Sequence, residues 1–450
     1  MQEKMDRSLK AYLTSRKSIY LIFCSVIFML FPVIDTAVGL LYASRNFEDT
    51  FFSPGKIYKG MIFFYGVFLF LTKKGKNNNY PHLVLFGIII IFLDVVNTYF
   101  YSLGISAVFF SLASSLQSIG MFIAVVYIME QLNVEEIHSV TRRFFYSYYF
   151  VAIPIIYLCF ITGYGMMTYS STEAVTRGFF RAGNEISFVL VSVTWVLLLK
   201  KKFTQISFWI IFLFGGFAIY LLGTKAGLVG LMFIATFKCT ALFCKKPVYA
   251  LVFNLLLLGI ILMCLPYVIY SIVPYLPAGD RIEYFIQKNN SVWETMFSGR
   301  DELVSRGLSV VHSFNPIQLF CGIGTASFRK SVAYSLFGEH GDYRTVEQDW
   351  LDILGANGII GLIWFATIFI IGLRYIIHLK KEEAVMLSGL FMFTALYANF
   401  VGHLFVAATP ITCFAFVFLL AKREFLLSEK YSNRKIEKSG MDENDACPVL

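Results

Sequence analysis

The sequence predicts an all-α integral membrane protein of about twelve transmembrane helices, with one large extracytoplasmic loop between the ninth and tenth. Three observations predict it. Apolar runs long enough to cross a hydrocarbon layer of ~30 Å, which takes about 20 residues, recur down the chain. Basic residues gather in short clusters between alternate pairs of runs, the pattern of the positive-inside rule. Hydrophobic residues make up 57% of the chain and charged residues only 15%, with a mean hydropathy of +0.67. A chain of 450 residues with so little polar surface has lipid as its main solvent.

In order, the runs place helices at about 19–42, 57–72, 83–101, 105–129, 144–163, 184–199, 205–222, 226–243, 248–271, 350–373, 384–402 and 404–421. Basic clusters follow the even-numbered helices: Lys73, Lys74 and Lys76; Arg142 and Arg143; Lys200, Lys201 and Lys202; Lys245 and Lys246; Lys380 and Lys381; Lys422 and Arg423. With the basic N-terminus (Lys4, Arg7, Lys10, Arg16, Lys17), these put both termini on the cytoplasmic side. The formal charge of +9 lies in these clusters, which argues against a nucleic-acid partner. The eight cysteines fall mostly in apolar runs or on the cytoplasmic side; only Cys321 is placed outside, so no disulfide framework is implied. The histidines show no metal-ligand spacing. No cleavable signal peptide is expected, because the first run is long enough to span.

The chain thus divides into helices one to nine over 1–271, the outer loop over 272–349, helices ten to twelve over 350–421, and a polar, disordered cytoplasmic tail over 422–450. A connection as long as 272–349 in a compact membrane protein is usually a lid or a binding loop. Within it, Ser298 with Asp301 three residues on reads as the start of a short helix reaching Val311. Asn315-Pro316 and Gly322-Ile323-Gly324 read as turns.

Several cations defy the positive-inside tendency. Arg177 and Arg181 precede the sixth helix, Lys225 lies in the turn Gly223-Thr224-Lys225-Ala226-Gly227, and Arg300 opens the loop helix. All four fall on the outer side, where a lipid diphosphate is the anion that explains them. Arginine offers it a planar two-pronged donor and lysine a point charge. The alternative is that each simply snorkels to headgroups. Glycine flanks Arg181, Lys225 and Arg300 and allows close backbone approach.

The acidic candidates are Glu347 and Asp349, where the loop meets the tenth helix. Asp349 and Asp352 share a helix face. The alternative role is dipole complementation in a first turn, with Thr345 and Gln348 as a capping box. Gly355, Gly358 and Gly361 line one side of this helix as a small-residue packing surface. Asp35 and Asp94, inside helices one and three, are expected to neutralise Lys225 or Arg181. His403 is expected to be structural.

At these residues the chain resembles the O-antigen polymerase and ligase-like membrane proteins that build bacterial surface polysaccharides. Four elements match in order: Arg181-Ala182-Gly183-Asn184-Glu185; Gly223-Thr224-Lys225-Ala226-Gly227; Ser298-Gly299-Arg300 with Asn315-Pro316 through Cys321-Gly322-Ile323-Gly324; and Glu347-Gln348-Asp349-Trp350 running into Asn357-Gly358-Ile359-Ile360-Gly361-Leu362. The match covers residues 175–375, and the earlier helices resemble the family only as generic spans. The family's ligases carry a histidine near the loop exit; here Glu347 and Asp349 stand there, a pattern closer to the polymerases.

The resemblance implies a GT-C-like arrangement and a metal-independent, cofactor-free, inverting glycosyl transfer. The growing chain on one undecaprenyl diphosphate moves to a hydroxyl of an incoming lipid-linked repeat unit, at the outer face of the bacterial cytoplasmic membrane. It further implies Arg177, Arg181, Lys225 and Arg300 on the diphosphate, and Glu347 or Asp349 as the base. A flippase and a chain-length regulator are the implied pathway partners. Three alternatives stay open: a ligase-like transferase of finished glycan, a lipid-linked oligosaccharide flippase, and a structural member of a polysaccharide assembly complex, which would need no base. A flippase should show two related halves and a cationic cavity at mid-membrane; no internal repeat is visible.

Overall fold

The computed structural model describes residues 18–44, 53–72, 81–101, 104–167, 175–244, 248–257, 259–260, 300–338, 343–379 and 382–444. Among them the chain is all-helical apart from one isolated bridge between Met167 and Thr176. Eight helices are long and apolar enough to cross a membrane: α1 Ser18–Ala43, α2 Pro54–Thr72, α3 Pro81–Tyr101, α4 Ile105–Glu130, α5 Val134–Thr162, α8 Lys225–Phe243, α13 Asp349–Ile377 and α14 Glu382–Phe400. Three shorter apolar helices join them: α6 Gly183–Leu198, α7 Ile206–Leu221 and α9 Val248–Leu257. The loop contributes α10 Arg300–His312, α11 Pro316–Cys321 and α12 Thr325–Phe337, and α15 Ala408–Asn444 ends the described chain.

The packing explains why so apolar a chain forms one bundle. The first half of α15 is buried from Ile411 to Ala421 and packs against α4, α5, α6 and α13. Its phenylalanines interlock with those neighbours: Phe416 stacks on Phe144 at 4.3 Å, Phe414 on Phe369 at 5.1 Å, and Phe418 meets Phe122 edge-on. Meanwhile Met61, Phe64, Leu71, Phe92, Ile161 and Ile206 are all exposed. Turning large apolar side chains outward as well as inward is what a lipid-bathed bundle does, since lipid tails are as apolar as leucine. The chain is a multi-pass membrane protein.

Several expected elements shift. The fifth helix begins at Val134, ten residues before the expected 144, because Asn133 caps it and forms a capping box with Glu136. Arg142 and Arg143 therefore lie on a helix and not in a loop. The polar tail expected over 422–450 is helical to Asn444, since it is rich in Lys, Arg and Glu and has no proline before Pro448. Thr345 and Gln348 form no capping box: Gln348 caps α13 without a side-chain bond, and the Val346 amide is taken by Asp352 Oδ1 at 3.1 Å. Asn315-Pro316 is a helix cap, with Asn315 bonded to the Gln318 amide. The expected ninth helix beyond 260, loop residues 272–299 with Ser298, and the clusters at the N-terminus, Lys73–Lys76, Lys245–Lys246 and Lys380–Lys381 lie outside the described residues.

The expected helix of small residues is broken. Gly358 leaves helical geometry at φ 66°, ψ −162°. The carbonyls of Gly355 and Ala356 accept instead from the Ile323 amide at 3.1 Å and the Gly324 amide at 2.9 Å. The loop is thereby stitched into the bundle by backbone bonds. Asn97 on α3 adds a bond to the Cys321 carbonyl at 2.9 Å.

Candidate functional site

The described ends of α1, α2, α4, α6, α8, α12, α14 and α15 meet at one end of the bundle. Bonds tie these ends together: Thr409 of α15 to Asp35 of α1 at 2.8 Å, Tyr397 of α14 to the Asn184 carbonyl of α6 at 2.7 Å, and Ser187 of α6 with Thr224, just before α8, at 2.6 Å. A cavity of about 1150 Å³ opens there, at the large end of ligand sites, which run about 300–1,000 Å³. It is lined from α1 (Asp35, Tyr42), α2 (Lys56, Lys59), α4 (Phe109, Phe110, Gln117), Arg181 just before α6 and Glu185 in its first turn, α12 (Arg329), the last two connections (Tyr343, Thr345, His403) and the start of α15 (Thr409).

Four cations and an imidazole thus face one space. Lys59 donates to Asp35 Oδ1 at 2.9 Å and to Thr409 at 3.1 Å; Tyr148 and Thr409 occupy the second oxygen of Asp35. This corrects the expected pairing of Asp35 with Lys225 or Arg181. Asp94 likewise takes Ser115 and the Thr325 amide, anchoring α12 to α3 and α4. Arg181 lies over the Tyr42 ring at 5.5 Å. Arg329 lies over Phe110 at 5.6 Å, and Phe110 stacks on Tyr343 at 4.3 Å. Burial lowers the guanidinium pKa of Arg329, against the charges of Asp352, Asp94 and Asp349, which raise it.

Of the residues expected from sequence, Arg181 lines the cavity and Arg177 stands behind it. Burial, then Arg181, lowers the Arg177 pKa, and its Nε has no hydrogen-bond partner. Lys225 starts α8 behind Thr224, whose hydroxyl caps the Gly227 amide at 3.2 Å, and it does not line the cavity. Arg300 and Glu347 find each other: Nε donates to Oε2 at 3.0 Å, with Arg344 3.6 Å from Oε1. Neither lines the cavity. Asp349 is fully buried, and its Oδ2 accepts from the Leu404 and Phe405 amides at 2.9 and 3.2 Å. Asp349 therefore fastens the α14–α15 connection, which carries His403 into the cavity wall. Burial pushes the His403 pKa down to about 4, against the pull of Glu347, so the ring is neutral at pH 7.

Sequence reading missed Lys56, Lys59, Glu185, Arg329 and His403 as parts of one site. Glu185 was within the Arg-Ala-Gly-Asn-Glu element, and Lys56 and Lys59 were charges at the head of an apolar run, the one signal available. The chain matches no protein-family model and no curated protein. What the fold and site define is a class: an all-helical, multi-pass membrane protein with a charged cavity at one end of its bundle.

Proposed function

We propose that this chain is a polymerase of bacterial surface polysaccharide. In this reading it joins undecaprenyl-diphosphate-linked repeat units by inverting, metal-independent glycosyl transfer. The same reading has about twelve spans, both termini in the cytoplasm and the cavity at the outer face of the cytoplasmic membrane. The observation that carries the reading is the gathering of Lys56, Lys59, Arg181 and Arg329 on one cavity among lipid-bathed helices. Fixed cations in a space partly shut off from water stabilise charge that develops on a leaving diphosphate far more than they would in solution. The aromatic wall of Tyr42, Phe109, Phe110 and Tyr343 suits the apolar faces of sugar rings and the start of a polyprenyl tail. Arg177 supports Arg181 from behind; Lys225 and Arg300 remain proposed contacts for the outer part of the substrate, and of the bases expected from sequence Glu347 is clamped by two arginines and Asp349 is buried, neither lining the cavity. No internal repeat is visible in the sequence, which favours transfer over flipping.

The test is purified protein given a lipid-linked repeat unit, with chelator and without nucleotide sugar. A ladder of longer lipid-linked products is expected. Dependence on a nucleotide sugar, or passage of the lipid across a vesicle membrane without bond formation, would rule the reading out.

A further inference from the structure

Among the described residues, six buried or half-buried acids stand at the cavity end of the bundle, and five of them are engaged. Asp35 is held by Lys59, Tyr148 and Thr409. Asp94 takes Ser115 and the Thr325 amide, and Asp352 the Val346 amide. Asp349 takes two amides of the α14–α15 connection, and Glu347 is clamped between Arg300 and Arg344. Glu185 differs. It lines the cavity, and its carboxylate makes no hydrogen bond or close ion pair among the described residues.

The backbone beneath Glu185 is nonetheless fixed. The Asn184 carbonyl is bonded to Tyr397 at 2.7 Å, and Ser187, half a turn on, to Thr224 at 2.6 Å. The charges of Lys59, Arg181 and Arg177 act on it, yet Lys59 is committed to Asp35 and Arg181 lies over Tyr42. A carboxylate whose role was structural would be paired, as Asp35 is. A free one, rigidly mounted beside a cationic pocket, is what proton transfer to a positioned side chain needs.

We propose that Glu185 is the general base of the transfer; this rests on the glycosyl-transfer reading above. The acceptor hydroxyl gives its proton to a Glu185 oxygen as its own oxygen bonds to the anomeric carbon of the donor. The bond from that carbon to the diphosphate oxygen breaks, and the electron pair leaves on the diphosphate, facing Lys56, Arg181 and Arg329. Glu185 then releases the proton to water, leaving a glycan one repeat longer and a free lipid diphosphate.

The test pairs two readouts on purified, monodisperse protein: binding of undecaprenyl diphosphate, and transfer between lipid-linked repeat units. Glu185→Gln is expected to bind undecaprenyl diphosphate within about threefold of the native protein and to transfer at least about a hundredfold more slowly, the scale of general-base help. Glu185→Asp, which keeps the charge one methylene short, is expected to retain binding and lose about tenfold in transfer. It serves as the test if the glutamine variant does not insert. Native transfer by Glu185→Gln overturns the assignment. So does loss of binding in step with transfer, which marks a structural role. So does a selective loss of transfer in Glu347→Gln or Asp349→Asn alone. If the native protein binds undecaprenyl diphosphate but never lengthens a glycan, the glycosyl-transfer reading itself falls, and the base with it.

Discussion

Arg300 donates from Nε to Oε2 of Glu347 across 3.0 Å, and it does so to a residue whose backbone is left-handed, at φ 62°. Glu347 and His403, at φ 68°, are the two non-glycine residues with positive φ among the described residues. Gly402, at φ 71°, lies against the Glu347 backbone between them. Left-handed backbone costs an ordinary residue about 1–2 kcal/mol, so such conformations persist where the surroundings force them, often at functional sites. Here the ion pair and the two amide bonds to Asp349 supply that force. Two connections, before α13 and before α15, are locked together at the rim of the cavity.

Gly402→Ala tests the lock. A Cβ at this position lies 2.5 Å from the Glu347 carbonyl carbon, on backbone that L side chains rarely adopt. The variant is expected to lose at least about 1–2 kcal/mol of stability, read as a lower thermal midpoint in detergent. An unchanged midpoint would mean that the two connections part without cost.

Lys59 and Asp35 make a second measurable pair, each side chain only 14% exposed. Removing one partner of a buried pair strands the other charge and costs about 3–5 kcal/mol. Lys59→Met is therefore expected to destabilise strongly, and Lys59→Met with Asp35→Leu to be more stable than Lys59→Met alone. A double-mutant cycle in detergent unfolding reads the coupling, and strictly additive effects would deny it.

These pairs mark the border of what the sequence could convey. Among the described residues, apolar runs located the long apolar helices, because length and hydropathy are local properties. The start of α5 escaped, since Glu135, Glu136, His138, Arg142 and Arg143 dilute the run, while the cap that fixes it is Asn133. The site was legible only at one residue. Of the cations and bases that stood out by type and place, only Arg181 lines the cavity, because which cations share a cavity depends on helix rotation. Lys225 and Lys59 look equally well placed in sequence, and the bundle turns only Lys59 inward. The glycines of α13 were visible as small residues; that one of them breaks the helix depends on the amides of Ile323 and Gly324, far away in sequence.

His403 predicts a pH effect with a definite sign. Its folded pKa is lowered to about 4, against about 6.5 in an unfolded chain. Between those values the unfolded chain binds a proton that the folded protein refuses. Stability from neutral His403 is therefore full above about pH 6.5 and drains as pH falls toward 4. His403→Asn keeps a residue that tolerates left-handed backbone and removes the titration. The thermal midpoint of the native protein should fall more between pH 7 and 4.5 than that of the variant. Parallel curves would place the charge of His403 outside the folded-state balance.

The broken helix gives the last prediction. Normal helical bonding would have the amides beyond Gly358 reach back to Gly355 and Ala356; instead those carbonyls serve Ile323 and Gly324 of the loop. The exchange works only if two glycines pass each other closely. A Cβ on Gly358 runs into the Phe320 carbonyl, and one on Gly322 into the Ala356 carbonyl. Both obstacles are backbone, which cannot rotate away as a side chain can. Both glycines also have positive φ, at 66° and 77°. Gly358→Ala can relieve the clash by becoming helical, but the helix then reclaims its carbonyls and the loop loses two amide partners. Leaving those amides buried and unpaired costs about 1–3 kcal/mol each, so the loop should detach while the apolar spans stay inserted. Limited proteolysis in detergent is expected to cut Gly358→Ala and Gly322→Ala within 300–338 well before the native protein, at equal helical content by circular dichroism. Because α12 carries Arg329 into the cavity, undecaprenyl diphosphate binding should weaken in the same variants. Native protease resistance in both would mean that the bond exchange does not hold the loop in place.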